Sequence, residues 1–115
     1  MNVNHPSFLL FLDNVTCNVL SQVTLENYFN LSTEKKISIQ YVVFKLTKAA
    51  LTVNTKLPDT ELKEILYVLW KKNEEAENYE FASVLKDIIG KFDSLNETFK
   101  TIKKESKKTK TDIHS

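Results

Sequence analysis

Glycine occurs once in the 115 residues, at Gly90, and proline twice, at Pro6 and Pro58. Turns that need a positive φ usually draw on glycine, so this scarcity argues against a hairpin-rich β fold. Long helices joined by few, short connections are the natural alternative. Cysteine also occurs once, which removes any intramolecular disulfide framework; Cys17 reads as a small buried hydrophobe rather than a reactive thiol. The two histidines, His5 and His114, lie at opposite ends without Cys or carboxylate partners at ligand spacing. A zinc site is therefore not expected, and no interior histidine is on hand as base for a Ser, Cys or Thr nucleophile. One glycine cannot build a phosphate-binding loop. No apolar stretch approaches the ~20 residues of a membrane-spanning helix. The opening MNVNHPSFLLFLDN lacks a basic segment ahead of its short apolar run, so it does not read as a secretory signal. These gaps lead to the expectation of a non-enzyme with no cofactor and no metal, cytoplasmic and away from membranes.

What is present is ordinary for a single globular domain: 42% hydrophobic and 27% charged residues, with a net charge of +1. A chain of this length buries roughly two thirds of its unfolded surface in one core. The charge is unevenly placed. From Lys100 onward six Lys stand against Glu105 and Asp112, which leaves the remainder slightly acidic and confines any attraction for anions to the C-terminus. The expected division is a helical bundle domain over 1–103 and a disordered Lys-rich tail over 104–115.

Four amphipathic runs follow one another. The first opens at Pro6, with Asn4 or His5 as its cap, and steps through Phe8, Leu12, Val15, Val19 and Val23 toward Tyr28 or Phe29. Phe11, Leu20 and Leu25 widen its stripe, while its many Asn, Thr and Val residues give poor helix propensity. The second starts at Ser32 or Thr33, with Glu34 in its first turn, and carries two stripes. These are Ile39, Val43, Leu46, Ala50, Val53 and Ile37, Tyr41, Phe44, Leu51. Its β-branched run at 41–44 also fits a strand, although no turn residues flank it. Residues 54–59 form a loop, because the residue before Pro58 is pushed out of helical geometry, and Asp59 or Thr60 is expected to cap the third run; Leu62, Ile65, Leu66 and Leu69 line it, broadened by Tyr67, Val68 and Trp70. Tyr67 and Trp70 suit either an exposed anchor or packing beneath the first helix. The chain bends near Asn78. The fourth run has the longest regular seam: Phe81, Leu85, Ile88, Phe92, Leu95, Phe99 and Ile102. Unbroken phase favours one helix through Gly90, with a stop there and a restart at Ser94 as the alternative. The fold expected is all-α, a small four-helix bundle whose last two helices form an antiparallel hairpin.

Within 79–89, Tyr79, Glu80, the small pair Ala82 and Ser83, then Leu85, Lys86, Asp87 and Ile89 follow a recognisable pattern. It resembles the UVR motif, a helical hairpin of the excision-repair proteins UvrB and UvrC and of some stress adaptors. Lys86 replaces the usual Arg and so lacks its planar fork, and Asn73 stands where the motif carries Ala. The resemblance covers 73–92 and implies protein–protein contact without catalysis.

The expected role is thus a bacterial or phage adaptor or modulator that meets a protein partner through Glu74, Glu75, Glu77, Tyr79, Glu80, Lys86 and Asp87. A solvated hairpin tip is the plainer account of the same carboxylates, which lack calcium-loop spacing. Two other classes stay open. One is a nucleic-acid accessory protein that holds phosphates with Lys103, Lys104, Lys107, Lys108 and Lys110, without aromatics for stacking. The other is a structural homo-oligomer pairing through the long seam.

Overall fold

The computed structural model describes residues 5–53 and 56–98. Within them the protein is all-helical, with no strand: α1 (Pro6–Gln22), a 3-10 turn (Tyr28–Asn30), α2 (Thr33–Leu51), α3 (Asp59–Glu75) and α4 (Tyr79–Gly90). The chain is helical again over 92–98, here α5. The run at 41–44 lies inside α2 and is helical, not a strand.

Each start has a local cause. Pro6 opens α1, and the His5 Nδ1 accepts a hydrogen bond from the Ser7 amide, satisfying one of the orphan donors of the first turn. Ser32 caps α2 by accepting from the Lys35 amide at 3.3 Å. α3 begins at Asp59 with Pro58 in the cap position and no side-chain cap, so neither Asp59 nor Thr60 takes that role.

Two helices end earlier than expected. α1 stops at Gln22 rather than reaching Tyr28, and Val23 is extended. Near that end Ser21 Oγ and Gln22 Nε2 both donate to the Asn18 carbonyl, the competition that makes such residues weak helix formers. Asn27 then adopts a left-handed conformation and lets the 3-10 turn fold Tyr28 inward. α2 ends at Leu51, where Thr52 bonds back to the Lys48 carbonyl; Val53, placed on its stripe, is 72% exposed.

The core gathers Leu12, Val15 and Val19 of α1 with Val43, Phe44 and Leu51 of α2, and includes all four expected residues of α3. From α4 and α5 it takes Phe81, Leu85, Ile88, Phe92 and Leu95. The seam therefore extends as expected to Leu95; Phe99, Ile102 and the Lys-rich tail lie outside the described residues. α3 and α4 make the most extensive contact of any two elements, and α4 also touches α2 and the 3-10 turn. Phe44 and Phe92 meet edge to face at 5.9 Å. Phe11 and Leu20 stay partly exposed, and Cys17 is exposed rather than buried, on the side of α1 away from Leu12, Val15 and Val19.

Continuity through Gly90 does not hold, and the restart is not at Ser94. Lys91 interrupts the helix, its amide shared between the Asp87 and Ile88 carbonyls at 3.2 and 3.1 Å. The Lys91 carbonyl accepts the Leu95 amide at once, so Phe92 and Leu95 keep the phase of the seam. Gly90 itself has no positive φ, and a Cβ built there meets nothing within 4 Å. Gly90→Ala is expected to stabilise the fold by about 0.5–1 kcal/mol, read as a higher midpoint in thermal melting followed by circular dichroism.

Candidate functional site

α3 passes into α4 through residues 76–78, and the backbone of this turn is closed at both ends. The Asn78 amide donates to the Asn73 carbonyl at 2.9 Å and the Glu77 amide to the Glu74 carbonyl at 3.1 Å. That is the paired bonding of a Schellman motif, in which the residue after the helix must be left-handed. Glycine is the usual occupant; here Glu77 holds it with φ 64°. A left-handed non-glycine residue costs on the order of 1 kcal/mol.

Asn73 supports the turn from inside. It is buried, its Nδ2 donates to the Leu69 carbonyl at 2.9 Å and more weakly to Thr16 Oγ1 at 3.4 Å, and its Oδ1 accepts from Asn78 Nδ2 at 3.1 Å. Thr16 in turn donates to Leu12, so the position that departs from the UVR pattern ties α3 to α1 and to the start of α4. Beside this link Lys72 and Asp13 pair at 3.2 Å. Its register, four residues after Leu69 and seven after Leu66, is the signal that marks this Asn as inward-facing.

The predicted contact residues separate into two groups. Glu74, Glu75, Glu77, Tyr79, Glu80 and Lys86 are all exposed, and the first five surround the turn. Asp87 faces elsewhere. Its Oδ2 accepts a 2.6 Å hydrogen bond from the Tyr28 hydroxyl, which itself accepts from Gln40 Nε2 at 2.9 Å. Lys91 Nζ donates to Gln40 Oε1 at 3.3 Å and completes the chain. Tyr28 and Gln40 are almost wholly buried, while Asp87 is half-buried and Lys91 exposed, so this network joins the 3-10 turn, α2 and α4 and satisfies the two groups that water reaches least. Asp87 thus serves the interior with at least one oxygen, and reversing its charge would test the fold rather than a contact surface.

Open hollows lie between the helices. One, of ≈ 440 Å³, lies among Phe8, Phe11, Val15, Leu51, Leu57 and Ile65, with Asn14 and Asn18 at its edge. A second, of ≈ 290 Å³, sits beside the turn, where Leu20, Leu25 and Phe81 meet Glu26 and Glu80. A third, of ≈ 670 Å³, runs between α2 and α5. On α3, Tyr67 and Trp70 stack edge to face at 5.2 Å with Lys71 Nζ 4.5 Å from the Trp70 centroid; Tyr67 is half exposed and Trp70 packs partly against the core. Among the described residues no group of three His, Cys, Asp or Glu side chains is placed to hold a metal, and no helix is long and apolar enough to cross a membrane. The five candidate Lys of the tail, from Lys103 to Lys110, fall outside the described residues.

No protein family matches the chain, and neither a characterised relative nor a solved structure is detectably similar to it.

Burial first, then the carboxylate that accepts its proton, push the Tyr28 hydroxyl from 10.0 up to about 12, while the Gln40 amide works in the opposite direction. The folded state therefore keeps a proton that the unfolded chain begins to release near pH 10. This contribution to stability is complete below pH 10 and is lost as pH rises through about 12. Tyr28→Phe should lower stability at neutral pH by about 1–3 kcal/mol, because Asp87 and Gln40 lose a partner. It should also flatten the alkaline limb of stability between pH 10 and 12, measured by urea unfolding at a series of pH values. Asn73→Ala is expected to cost about 1–3 kcal/mol in the same assay. Asn73→Asp should cost more, since a carboxylate oxygen would then face the Leu69 carbonyl.

Proposed function

We propose that this protein is a non-enzymatic protein–protein interaction domain, an adaptor or modulator of bacterial or phage origin acting in the cytoplasm. Its docking element is the helical hairpin of α3 and α4. The tip presents Glu74, Glu75, Glu77 and Glu80 around exposed Tyr79, which suits a partner with a basic surface and a pocket for one aromatic ring.

The observation that carries this reading is the left-handed Glu77. Glycine would close the same turn at lower cost, so a carboxylate there is kept against the preference of the backbone. Beyond the backbone bonds of the turn, the side chains of its four neighbours make no hydrogen bond or ion pair among the described residues, and tip side chains that hold nothing internally are free for an external contact. The resemblance of 79–89 to the UVR hairpin, whose role is protein contact, points the same way.

Glu77→Gly separates a docking tip from a mere turn. The variant is expected to gain about 1 kcal/mol of stability in urea unfolding and yet lose the partner in affinity capture from the native source. Glu80→Lys should lose it as well, at a cost of about 1 kcal/mol because Glu80 lies in the first turn of α4. A stabilised Glu77→Gly protein that captures the same partner as the wild type would overturn the reading.

A further inference from the structure

The outer face of α2 has a pattern that neither the core nor the hairpin uses. Between Glu34 and Lys45 it carries Ile37, Ser38, Tyr41 and Val42; Ile37 is 45% and Val42 42% exposed. Ile37, Gln40, Tyr41 and Val42 form one wall of the ≈ 670 Å³ groove, and Lys91, Ser94, Leu95 and Thr98 form the other; Lys91 Nζ is turned to Gln40 Oε1 at 3.3 Å. Glu34 and Lys45 are exposed, and neither has an ionic partner among the described residues.

We infer that this groove is the interface between two copies of the chain, with α2 packed antiparallel on the second copy's α2 about a two-fold axis beside Ile39 and Gln40. In such a pair, residues equidistant from the axis on opposite sides face one another, and every contact occurs twice. An axis between 39 and 40 sets Glu34 against Lys45 of the second copy, Ile37 against Val42, and the small Ser38 against the ring of Tyr41. One register thus matches charge with opposite charge, apolar with apolar, and small with large. Moving the axis to 38 sets Glu34 against Val42 and Tyr41 against Lys35. Moving it to 41 sets Ile37 against Lys45. Of these three alignments only the first matches charge, apolar contact and size together, a self-complementarity that a surface meant for an unrelated partner has no reason to show. The small side chains of Ser94 and Thr98 on the opposite wall leave room for the incoming helix.

From Glu34 to Lys45 the contact runs about 16 Å along the helix. That is short of a standard interface of about 1,200–2,000 Å², so the association is reversible and concentration-dependent. It involves none of the tip residues and stands independently of the hairpin's role.

Analytical ultracentrifugation of the full chain tests the interface directly, with Cys17→Ser introduced so that the exposed thiol cannot link two copies. A monomer–dimer equilibrium is expected. Glu34→Lys or Lys45→Glu alone puts like charges together at both ends of the helix pair and should weaken the dimer about tenfold or more. The double reversal, Glu34→Lys with Lys45→Glu, should restore it. Val42→Asp should leave only monomer, and circular dichroism should be unchanged throughout because each position is exposed. The inference is overturned by a monomer at all concentrations up to about 1 mM, well above the Kd range of specific association. It is equally overturned by a dimer indifferent to Val42→Asp, or by a double reversal no better than the single ones.

Discussion

The hydrogen bond from the Tyr28 hydroxyl to Asp87 is the contact on which the arrangement of helices turns. Its partners come from positions 59 residues apart, one in the short connection before α2 and the other on α4. Tyr28 is buried to 1% exposure, so its hydroxyl must find a partner inside the protein or cost about 1–3 kcal/mol. Asp87 provides that partner, Gln40 bonds the same hydroxyl from α2, and Lys91 reaches Gln40 where α4 gives way to α5. The apolar faces drive collapse without choosing among neighbouring helix registers. A polar chain with fixed donors and acceptors is satisfied in far fewer of them.

A second buried link, centred on Asn73, does the same for the C-terminal end of α3. It joins α1, α3 and the first turn of α4, and it lies directly beneath the carboxylates of the tip. The turn thus combines a hydrogen-bonded interior with an exposed, left-handed Glu77. The groove beside α2 is a different kind of surface, largely apolar, with Lys91 in its lining and the exposed Glu34 and Lys45 farther along α2 on either side. The hairpin tip and this groove lie on separate elements, so a dimer would carry two tips, each able to meet its own partner.

How much could be read in advance varies along the chain. α3 was legible in detail because Leu62, Ile65, Leu66 and Leu69 repeat at helical spacing and all pack inward. The seam of α4 held as far as Leu95 for the same reason, and Ser32 capped α2 as its chemistry suggests. The end of α1 was misjudged: Val23 and Leu25 continue the stripe, but an apolar period records only that residues face the core, not that the backbone between them stays helical. Val53, just beyond the end of α2 at Leu51, is exposed for the same reason. Cys17 is exposed because its place on the helix outweighs the usual preference of a thiol for the interior. Of the candidate site, the exposed acidic residues and Tyr79 were found where expected around the turn, whereas Asp87 was drawn inward by a tyrosine that no local pattern connects to it.

By itself the amino-acid sequence determined an all-helical chain, the approximate course of each helix and the apolar face that each turns inward. Those properties depend on residues within one or two turns of one another, and helical periodicity and turn chemistry report them directly. Tertiary structure alone decided that Asn73 and Asp87 are interior ligands of other polar groups, that the helix yields at Lys91, and that Ile37 and Val42 stay uncovered. Each of these depends on which distant segment arrives as a neighbour. Partners such as Tyr28 and Asp87 are brought together only when the whole bundle closes, and spacing along the chain holds no record of that meeting.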